Sequence, residues 1–333
     1  MKVTAVAPSN LAFVKYWGAR DLERAIPRHP SVSMTLSRCC SRCTVETATA
    51  DGDEVLEVDE EGTPRPAAEG FAAPIRRHVE RLRQRAGGGP SLRVATRNNF
   101  PTGAGLASSA SGFAALTLAA ARALGLTPSP EELSVWARSS GSGSAARSTL
   151  GGYVEWPTPD DGDLEGPARQ LAPSDHWDLR DVIALVDPGE KAVSSREGHA
   201  RAGSSPHYRK RLQLVPDRLA TVRAAIRDRD LDRLGPVLET EAVELHLVAM
   251  SSRPPIFYWS PGTLRVMEAV RVLRSEEGVA AYYSIDAGPN VHVVCPPESE
   301  ERVVERMREL SPVEDVLRDR VGPGPRRDGE HLL

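Results

Sequence analysis

Between Asn98 and Gly112 the chain reads NNFPTGAGLASSASG. Pro101 is followed by Gly103 and Gly105, then by Ser108 and Ser109, and then by the small, apolar run FAALTLAAARAL up to Gly125. This is the pattern of a glycine-serine loop that opens a helix. A helix N-terminus carries unpaired N–H groups and the positive end of the macrodipole, so it suits a phosphate. The glycines let the backbone approach the anion, and the serine hydroxyls add donors or a magnesium ligand. The loop is neither G-x-x-x-x-G-K-[ST], since no lysine follows it, nor G-x-G-x-x-G. The plainer alternative is a tight turn ahead of a buried helix.

Four other positions have chemistry to offer. Asp286 closes the apolar stretch AAYYSID ahead of Gly288-Pro289, where a turn can aim its carboxylate inward. A carboxylate so placed can orient or deprotonate a hydroxyl within hydrogen-bond reach. The alternative is an Asp that caps the hairpin through its own backbone. Lys15 lies in KYWGARD, where two aromatics and a glycine between charges suit a cleft better than a core. It is one of only four lysines, with Lys2, Lys191 and Lys210, in a chain whose habitual cation is arginine. An ammonium there would offset charge developing on a phosphate and keep a neighbouring carboxylate ionised. Arg147 follows Ser142 and Ser144 in GSGSAARS, and Arg196 follows Ser195 in VSSREG. Guanidinium groups make bidentate contacts to phosphate and carboxylate. For any single arginine in so arginine-rich a chain, a solvated side chain is the plainer reading.

The bulk properties bound what these residues can be doing. The chain has 333 residues, 40% hydrophobic and 26% charged, with a formal net charge of -4. That is an ordinary soluble composition, enough for one large or two medium domains. The slightly acidic balance argues against nucleic-acid and membrane-surface partners. No apolar run approaches the ~18 residues that cross a bilayer, and MKVTAVAPSN lacks the apolar core of a signal peptide. A cytoplasmic location is the expectation. Cys39, Cys40 and Cys43 contain a single C-x-x-C with no second pair, so buried or half-buried thiols are expected rather than a metal or redox site. No histidine stands in ligand or triad spacing; His246 falls in a helical run and reads as structural. No G-x-S-x-G element supports serine-hydrolase chemistry.

The elements that must position these residues follow from periodicity. Residues 3–14 read as a strand, a bend at Pro8-Ser9 and a second short strand. Ser31–Leu36 and Cys43–Thr49 alternate as two strands around a polar turn. Residues 50–70 suggest a short hairpin and a loose loop, and 71–86 an amphipathic helix ended by GGGP. SLRVATRN is the strand that feeds the glycine-serine loop. Ser129, Pro130 and Glu132 form a capping-box pattern at the head of a helix. GGYVEW reads as a strand, and the polar, proline-rich residues 157–180 as a boundary. DVIALVD is a buried strand; EKAVSSREGHARAG is polar and mobile in character. Residues from Pro206 to Met250 are helical, and TLRVMEAVRVLRSEEG is an amphipathic helix. AAYYSID and VHVVC form two strands about AGPN, ESEERVVERMREL is a last helix, and the tail GPGPRRDGEHLL is loosely tied. Mixed strands and helices with antiparallel hairpins imply α+β in two lobes.

The loop P-x-G-A-G-L-A-S-S-A resembles the ATP-phosphate loop of the galactokinase, homoserine kinase, mevalonate kinase and phosphomevalonate kinase superfamily. The longer string NNFPTGAGLASSAS resembles one branch, the mevalonate diphosphate decarboxylases. SNLAFVKYWGARD at 9–21, GSGSAARS at 141–148, VSSREG at 193–198 and YYSIDAGPN at 282–290 match the same family, in its order and across most of the chain. The resemblance implies a two-lobed, small-molecule-kinase-like fold, with lobes 1–180 and 181–333 and the active site between them. It implies Asp286 and Lys15 as catalytic residues. Tyr16, Ser142, Ser144 and Arg147 would hold the phosphorylated end of the substrate, and Ser195 with Arg196 its carboxylate. Asn10, Gly103, Gly105, Ser108 and Ser109 would meet ATP. Mg²⁺ would be held mainly by the ATP phosphates, with Ser108 or Ser109 in reach, and no separate protein metal site.

The implied reaction is ATP-dependent decarboxylation of mevalonate 5-diphosphate to isopentenyl diphosphate, in the mevalonate pathway of isoprenoid synthesis. A phosphate placed on the 3-hydroxyl leaves as CO₂ is lost. The alternatives are mevalonate 5-phosphate as the substrate, a kinase that does not decarboxylate, or an inert binding protein on the same fold. The resemblance also implies a homodimer. One departure stands out: the family has lysine after KYWG, a cation that helps bind the diphosphate, and this chain has Ala19, with Arg20 beside it.

Overall fold

The computed structural model describes residues 1–49, 52–157, 163–189 and 191–333. The stretches read above over 50–70, 157–180 and 190–203 therefore lie partly outside the described residues. The strands are β1 (Lys2–Val14), β2 (Ala19–Asp21), β3 (Ile26–Pro27), β4 (Ser31–Thr47), β5 (Glu54–Val58), β6 (Pro64–Pro66), β7 (Leu92–Asn98), β8 (Tyr153–Trp156), β9 (Arg169–Ala172), β10 (Arg180–Leu185), β11 (Tyr282–Ser284), β12 (Val291–Cys295), β13 (Asp315–Arg320) and β14 (Arg326–Asp328). The helices are α1 (Glu69–Arg85), α2 (Ser108–Ala123), α3 (Pro130–Arg138), α4 (Ser195–Arg201), α5 (Tyr208–Asp228), α6 (Leu231–Met250), α7 (Pro261–Glu276) and α8 (Glu300–Arg308).

The larger sheet runs β14-β1-β4-β7-β5-β6, with β8 and β9 branching from β4; the smaller runs β11-β12-β10-β13. Pairs are antiparallel except β5 with β7. Alanine-rich α2 packs against the larger sheet with α1, joining Ala114, Ala115 and Ala119 to Val45, Val94 and Leu82. Methyl-sized side chains let this helix lie close to the strands. On the smaller sheet α7 and α8 bury Val266, Leu273 and Val303 against Val182, Val293 and Cys295. A third core unites the two sheets: Leu11, Phe13 and Met34 meet Val222 and Leu238 of α5 and α6, and Ile183 and Val294 of the smaller sheet. The mixed α+β architecture is as expected, and Ser129 caps α3 in a full capping box.

Three local readings are corrected. β1 is one strand, buried almost throughout, and the expected bend is a shift of register between Pro8 and Asn10. Proline has no N–H for the ladder, so it sits where the register slips. β4 is likewise a single strand of 17 residues. Its first half pairs with β8 and its second with β7. At the handover the amides of Ser37, Arg38 and Cys39 donate to the Asp319 carboxylate at 2.7 to 2.9 Å. The polar middle is thus satisfied by a distant side chain and makes no turn. The tail is tied down: β14 pairs with β1, His331 Nδ1 lies 2.7 Å from Thr4 Oγ1, and Leu332 and Leu333 pack on Leu56, Val58 and Ala95. It covers an edge that β1 would otherwise expose. We propose the lobe division at residue 180, with β14 crossing back to the first lobe. The unassigned stretch before the tail forms β13. No helix among the described residues is long and apolar enough to cross a membrane.

Candidate active site

A cleft of about 670 Å³ is lined by residues of both halves of the chain, and every site residue predicted from the sequence lines it. Lys15 follows the end of β1 and is clamped through its backbone. Its N–H donates to Glu241 Oε2 at 2.7 Å, and Arg211, itself paired with Glu241 at 2.6 Å, donates to its carbonyl at 3.0 Å. Its side chain is 1% exposed and donates from Nζ to Asp286 Oδ1 at 2.6 Å and to Ser284 Oγ at 2.7 Å. Asp286 keeps 18% of its side chain open to the cleft. The turn after it is closed by backbone, Gly288 N–H to Asp286 carbonyl at 2.8 Å, so the carboxylate is not consumed as a cap. Burial raises the Asp286 pKa. The Lys15 ammonium, the His292 imidazolium, the bond to Lys15 and Arg147 outweigh it and hold the group below the ordinary carboxylate value.

The glycine-serine loop packs directly on this turn. Gly103 and Gly105 have φ of 77° and 86°, and a Cβ on Gly105 would come within 2.8 Å of Gly288 Cα. Asn290 ties the two together by donating to the Ala104 carbonyl at 2.8 Å. Ala107, at φ 53°, gives α2 no side-chain cap, so the first amides of the helix are left for a ligand. Ser108 Oγ accepts from Gly103 N–H at 3.4 Å, and Ser109 Oγ lies 3.2 Å from Ser142 Oγ. No lysine follows the loop in sequence, but Lys191 enters the cleft from the second half. Its Nζ donates to Ser195 Oγ at 2.8 Å and to the Ala287 carbonyl at 2.5 Å. Burial, opposed by Asp286, lowers its pKa to about 8. The scarcity of lysine that singled out Lys15 pointed equally to Lys191, whose polar, mobile-looking context hid it. Within that segment Ser195–Arg201 form α4, capped by Ser194, with Gly198 leaving no room for a Cβ against the Trp17 ring.

Arg147 rises from a 3-10 turn over Gly143–Thr149 and is 2% exposed. Its guanidinium donates to Ser33 Oγ at 2.9 Å, Ser31 Oγ at 2.5 Å and Asn10 Oδ1 at 3.0 Å. Among the described residues no carboxylate forms an ion pair with it. Burial lowers its pKa to about 10. Asn10 also donates to Ser148 Oγ at 2.8 Å, which places it beside Arg147. The Tyr16 ring lies 4.2 Å from His199, tilted by 36°, and meets the Trp156 edge at 5.2 Å; burial raises its pKa, so the phenol stays protonated. Arg196 is exposed on α4 and reaches toward Gly141. Ser142 and Ser144 line the same region.

His199, Arg77 and Arg81 also line the cleft and were not predicted. Ala19 and Arg20 do not appear in its wall: Ala19 is half-buried in β2 and Arg20 exposed. His246 is buried in α6, with Nδ1 2.7 Å from the Ala242 carbonyl. Cys39, Cys40 and Cys43 lie along β4, and burial pushes the last two thiols up to about 11 and 12. Among the described residues no group of three or more His, Cys, Asp or Glu could hold a metal ion.

Comparison with known proteins covers most of the chain. A family model for the diphosphomevalonate decarboxylase-like N-terminal domain matches residues 7–165, and one for the mevalonate 5-diphosphate decarboxylase C-terminal domain matches 182–326. The chain is 35% identical to the diphosphomevalonate decarboxylase of Ganoderma lucidum, over 96% of this chain and 85% of the relative. It is 36% identical to that of Homo sapiens, over 86% and 75%. The solved mevalonate diphosphate decarboxylase of Enterococcus faecalis superposes with a TM-score of 0.87 at 33% identity, over 98% of this chain and 99% of that one. A structure of MDDEF in complex with MVAPP, AMPPCP and magnesium gives 0.88 at 34%, with the same coverage. Two matches in tandem, relatives of this identity along most of the chain, and a shared fold agree with the motifs gathered in the cleft: the chain belongs to the diphosphomevalonate decarboxylase family.

Proposed function

We propose that this chain catalyses the ATP-dependent decarboxylation of mevalonate 5-diphosphate to isopentenyl diphosphate, in the cleft between its two lobes. The observation that carries the reading is the Lys15–Asp286 ion pair at 2.6 Å, on a turn packed against the uncapped, glycine-rich start of α2. That start fits a polyphosphate, with free amides, two left-handed glycines and Lys191 in the same cleft. The donor set fits Mg²⁺ held through ATP phosphates, with the Ser108 and Ser109 hydroxyls in the same wall.

Bound ATP with Mg²⁺ supplies the phosphoryl group that makes the tertiary 3-hydroxyl a leaving group. Gly103, Gly105, Ser108 and Ser109 receive the phosphates. Asp286, ionised at neutral pH because Lys15 and His292 outweigh its burial, orients the 3-hydroxyl and accepts its proton. The Lys15 ammonium limits repulsion between that carboxylate and the phosphoryl oxygens. Arg147, Tyr16, Ser142 and Ser144 hold the phosphorylated end. Arg196 and Ser195 hold the carboxylate while its C–C bond electrons form the alkene, CO₂ departs and the 3-phosphate leaves.

A second reading, mevalonate 5-phosphate as the substrate, is favoured by one observation: Ala19 stands where the family has lysine, and neither it nor Arg20 lines the cleft. Steady-state turnover with both substrates, following ADP, phosphate and CO₂ together, tests all readings. We expect CO₂ in step with ADP and a higher kcat/KM for the diphosphate. ADP without CO₂ would make the chain a kinase, and no turnover an inert binder. A cytoplasmic location and a homodimer belong to the same proposal, and light scattering of the purified chain checks the dimer.

A further inference from the structure

Behind the Lys15–Asp286 couple lies a second buried pair, of which the reaction as described uses only the field of His292 on Asp286. His292 Nδ1 is 2.8 Å from Asp181 Oδ2, with the residues 2% and 0% exposed. Along β12, Val291, Val293 and Cys295 face α7 and α8, so His292 faces the other way, toward the first half of the chain. Asp181 shares that face of β10 with Ile183. His292 stands directly across from Ser284 in the β11–β12 register, and Ser284 Oγ accepts from Lys15 Nζ. Among the described residues the second carboxylate oxygen of Asp181 is buried with no hydrogen-bond partner, and the His292 ring is the one side chain hydrogen-bonded to the first.

We propose that the Asp181–His292 pair is a positioning and charge-balancing unit for the Lys15–Asp286 couple: it fixes the strand position opposite Ser284 and, while it holds its proton, cancels the negative charge that Asp181 would otherwise set behind the incoming phosphates. With the proton present, Lys15 and His292 balance Asp286 and Asp181. Without it the buried cluster carries one uncompensated negative charge in a site that must accept polyanions, and in a low-dielectric interior that repulsion is poorly screened. Among the surrounding groups, Asp319 on β13, beside Asp181, is a further carboxylate that favours the proton on the pair, and three amides of β4 donate to it. Cys39 is kept a neutral thiol by burial and Asp319. Glu241 on α6 is paired with Arg211 and Arg218. Burial keeps His246 neutral, and Arg147 adds a distant positive field on Asp286.

Burial raises Asp181, more than His292 lowers it. Burial lowers His292, but Asp181, the bond to it and Asp286 together raise it above the ordinary imidazole value. Both directions keep the proton on the pair. The sign follows: the protonated pair is complete below about pH 6.5, the free-histidine value, and is lost as pH rises through the higher value in the fold.

The inference rests on reading Lys15 and Asp286 as the catalytic pair, and its test has two arms. In the first, the double variant Asp181→Asn, His292→Gln replaces the pair with a neutral, hydrogen-bonding one. The ratio of parent to variant kcat, with ATP, Mg²⁺ and mevalonate 5-diphosphate, is expected to fall about tenfold, the equivalent of one pKa unit of coupling, as pH rises through the His292 titration. A limb due to Lys191 is common to both proteins and cancels. A ratio constant with pH in a folded variant would make the pair mere packing and overturn the proposal. The second arm uses the parent alone. The ¹⁵N imidazole resonance of His292, assigned by its loss in His292→Gln, is titrated with and without AMPPCP and Mg²⁺. Coupling is reciprocal, so the bound polyanion must raise the His292 midpoint, by several tenths of a pH unit or more. Analogue that binds without moving it overturns the proposal, whereas analogue that does not bind refutes the nucleotide reading itself.

Discussion

Lys15 and Arg147 are both cations buried in one cleft, 1% and 2% exposed, yet their surroundings differ in kind. Lys15 faces a carboxylate. Arg147 faces the neutral oxygens of Ser31, Ser33 and Asn10. A buried charge is costly unless paired. At Lys15 the pairing is internal, and it holds Asp286 ionised against its own burial. At Arg147 hydrogen bonds engage each guanidinium nitrogen but leave the charge, and burial presses its pKa down to about 10. In the proposed function an anion from outside completes that site. One end of the cleft is electrostatically paired within the chain, and the other leaves a cation without a carboxylate partner among the described residues.

If the two ends differ this way, substitutions should separate kcat from KM. The largest effect is expected from Asp286→Asn, which keeps the shape but removes the charge. Turnover should fall by at least ~10², the scale of a lost acid–base contribution, with both KM values little changed. Stopped assays with calorimetric ATP binding measure this. Turnover within a few-fold of the parent would make Asp286 a turn residue and erase the contrast.

Arg147→Ala should act at the other end. Losing a charge-assisted phosphate contact costs about 1.5–3 kcal/mol, so the KM of the phosphorylated substrate should rise roughly 10 to 150-fold with ATP affinity nearly unchanged. A thermal melt establishes that the variant is folded, since Ser31, Ser33 and Asn10 lose a donor. An unmoved KM in a folded variant removes Arg147 from the site.

Lys191 lies between these extremes, a cation held by the Ser195 hydroxyl and the Ala287 carbonyl. Its pKa is lowered to about 8 by burial, so its charge is present below that pH and lost above it. The KM for ATP should therefore rise about tenfold by pH 9, where roughly a tenth of the group remains charged. Lys191→Arg, which stays cationic, should flatten that rise. A KM equally steep in both proteins would show that another group titrates.

The contrast also explains what the sequence could disclose. Residues that meet a ligand sit in short strings with their own local logic, so Gly103, Gly105, Ser108, Arg147 and Asp286 were readable one loop at a time. The partners that decide their charge state are remote in sequence: Glu241 and Arg211 clamp Lys15 from two helices, and Asp181 lies 111 residues from His292. Nothing local in DVIALVD or VHVVC announces that pair. The fold failed to show itself in the same way. Residues 37–42 read as a turn because polar residues interrupt the alternation; Asp319 on a distant strand takes the amides of Ser37 to Cys39, and β1 pairs along both halves of β4. The tail looked loose because β14 has no pattern apart from the edge of β1 that it covers.

The smallest effect tests how finely the binding end is tuned. A diphosphate carries about one more negative charge than a monophosphate near neutral pH, and a pocket built for it should offer a matching cation. Relatives in the resemblance have lysine at position 19; here a methyl group sits half-buried in β2, opposite Pro27 and outside the cleft wall. Arg20, exposed beside it, does not line the cleft either. Arg147 is then the buried cation left to hold the phosphorylated end, and it serves one phosphate as well as two. The parent should discriminate for the diphosphate less than lysine-bearing relatives do. Ala19→Lys should move the kcat/KM ratio toward the diphosphate by a few-fold to tenfold, since a half-exposed contact is worth ~1 kcal/mol. Competition assays with the two substrates in one tube measure that ratio directly. An unchanged ratio would show that position 19 does not read the phosphate and that Arg147 sets the affinity unaided. A strong preference of the parent for the monophosphate would transfer the whole reading to mevalonate 5-phosphate, with the same Lys15–Asp286 chemistry and a binding end complete with one phosphate.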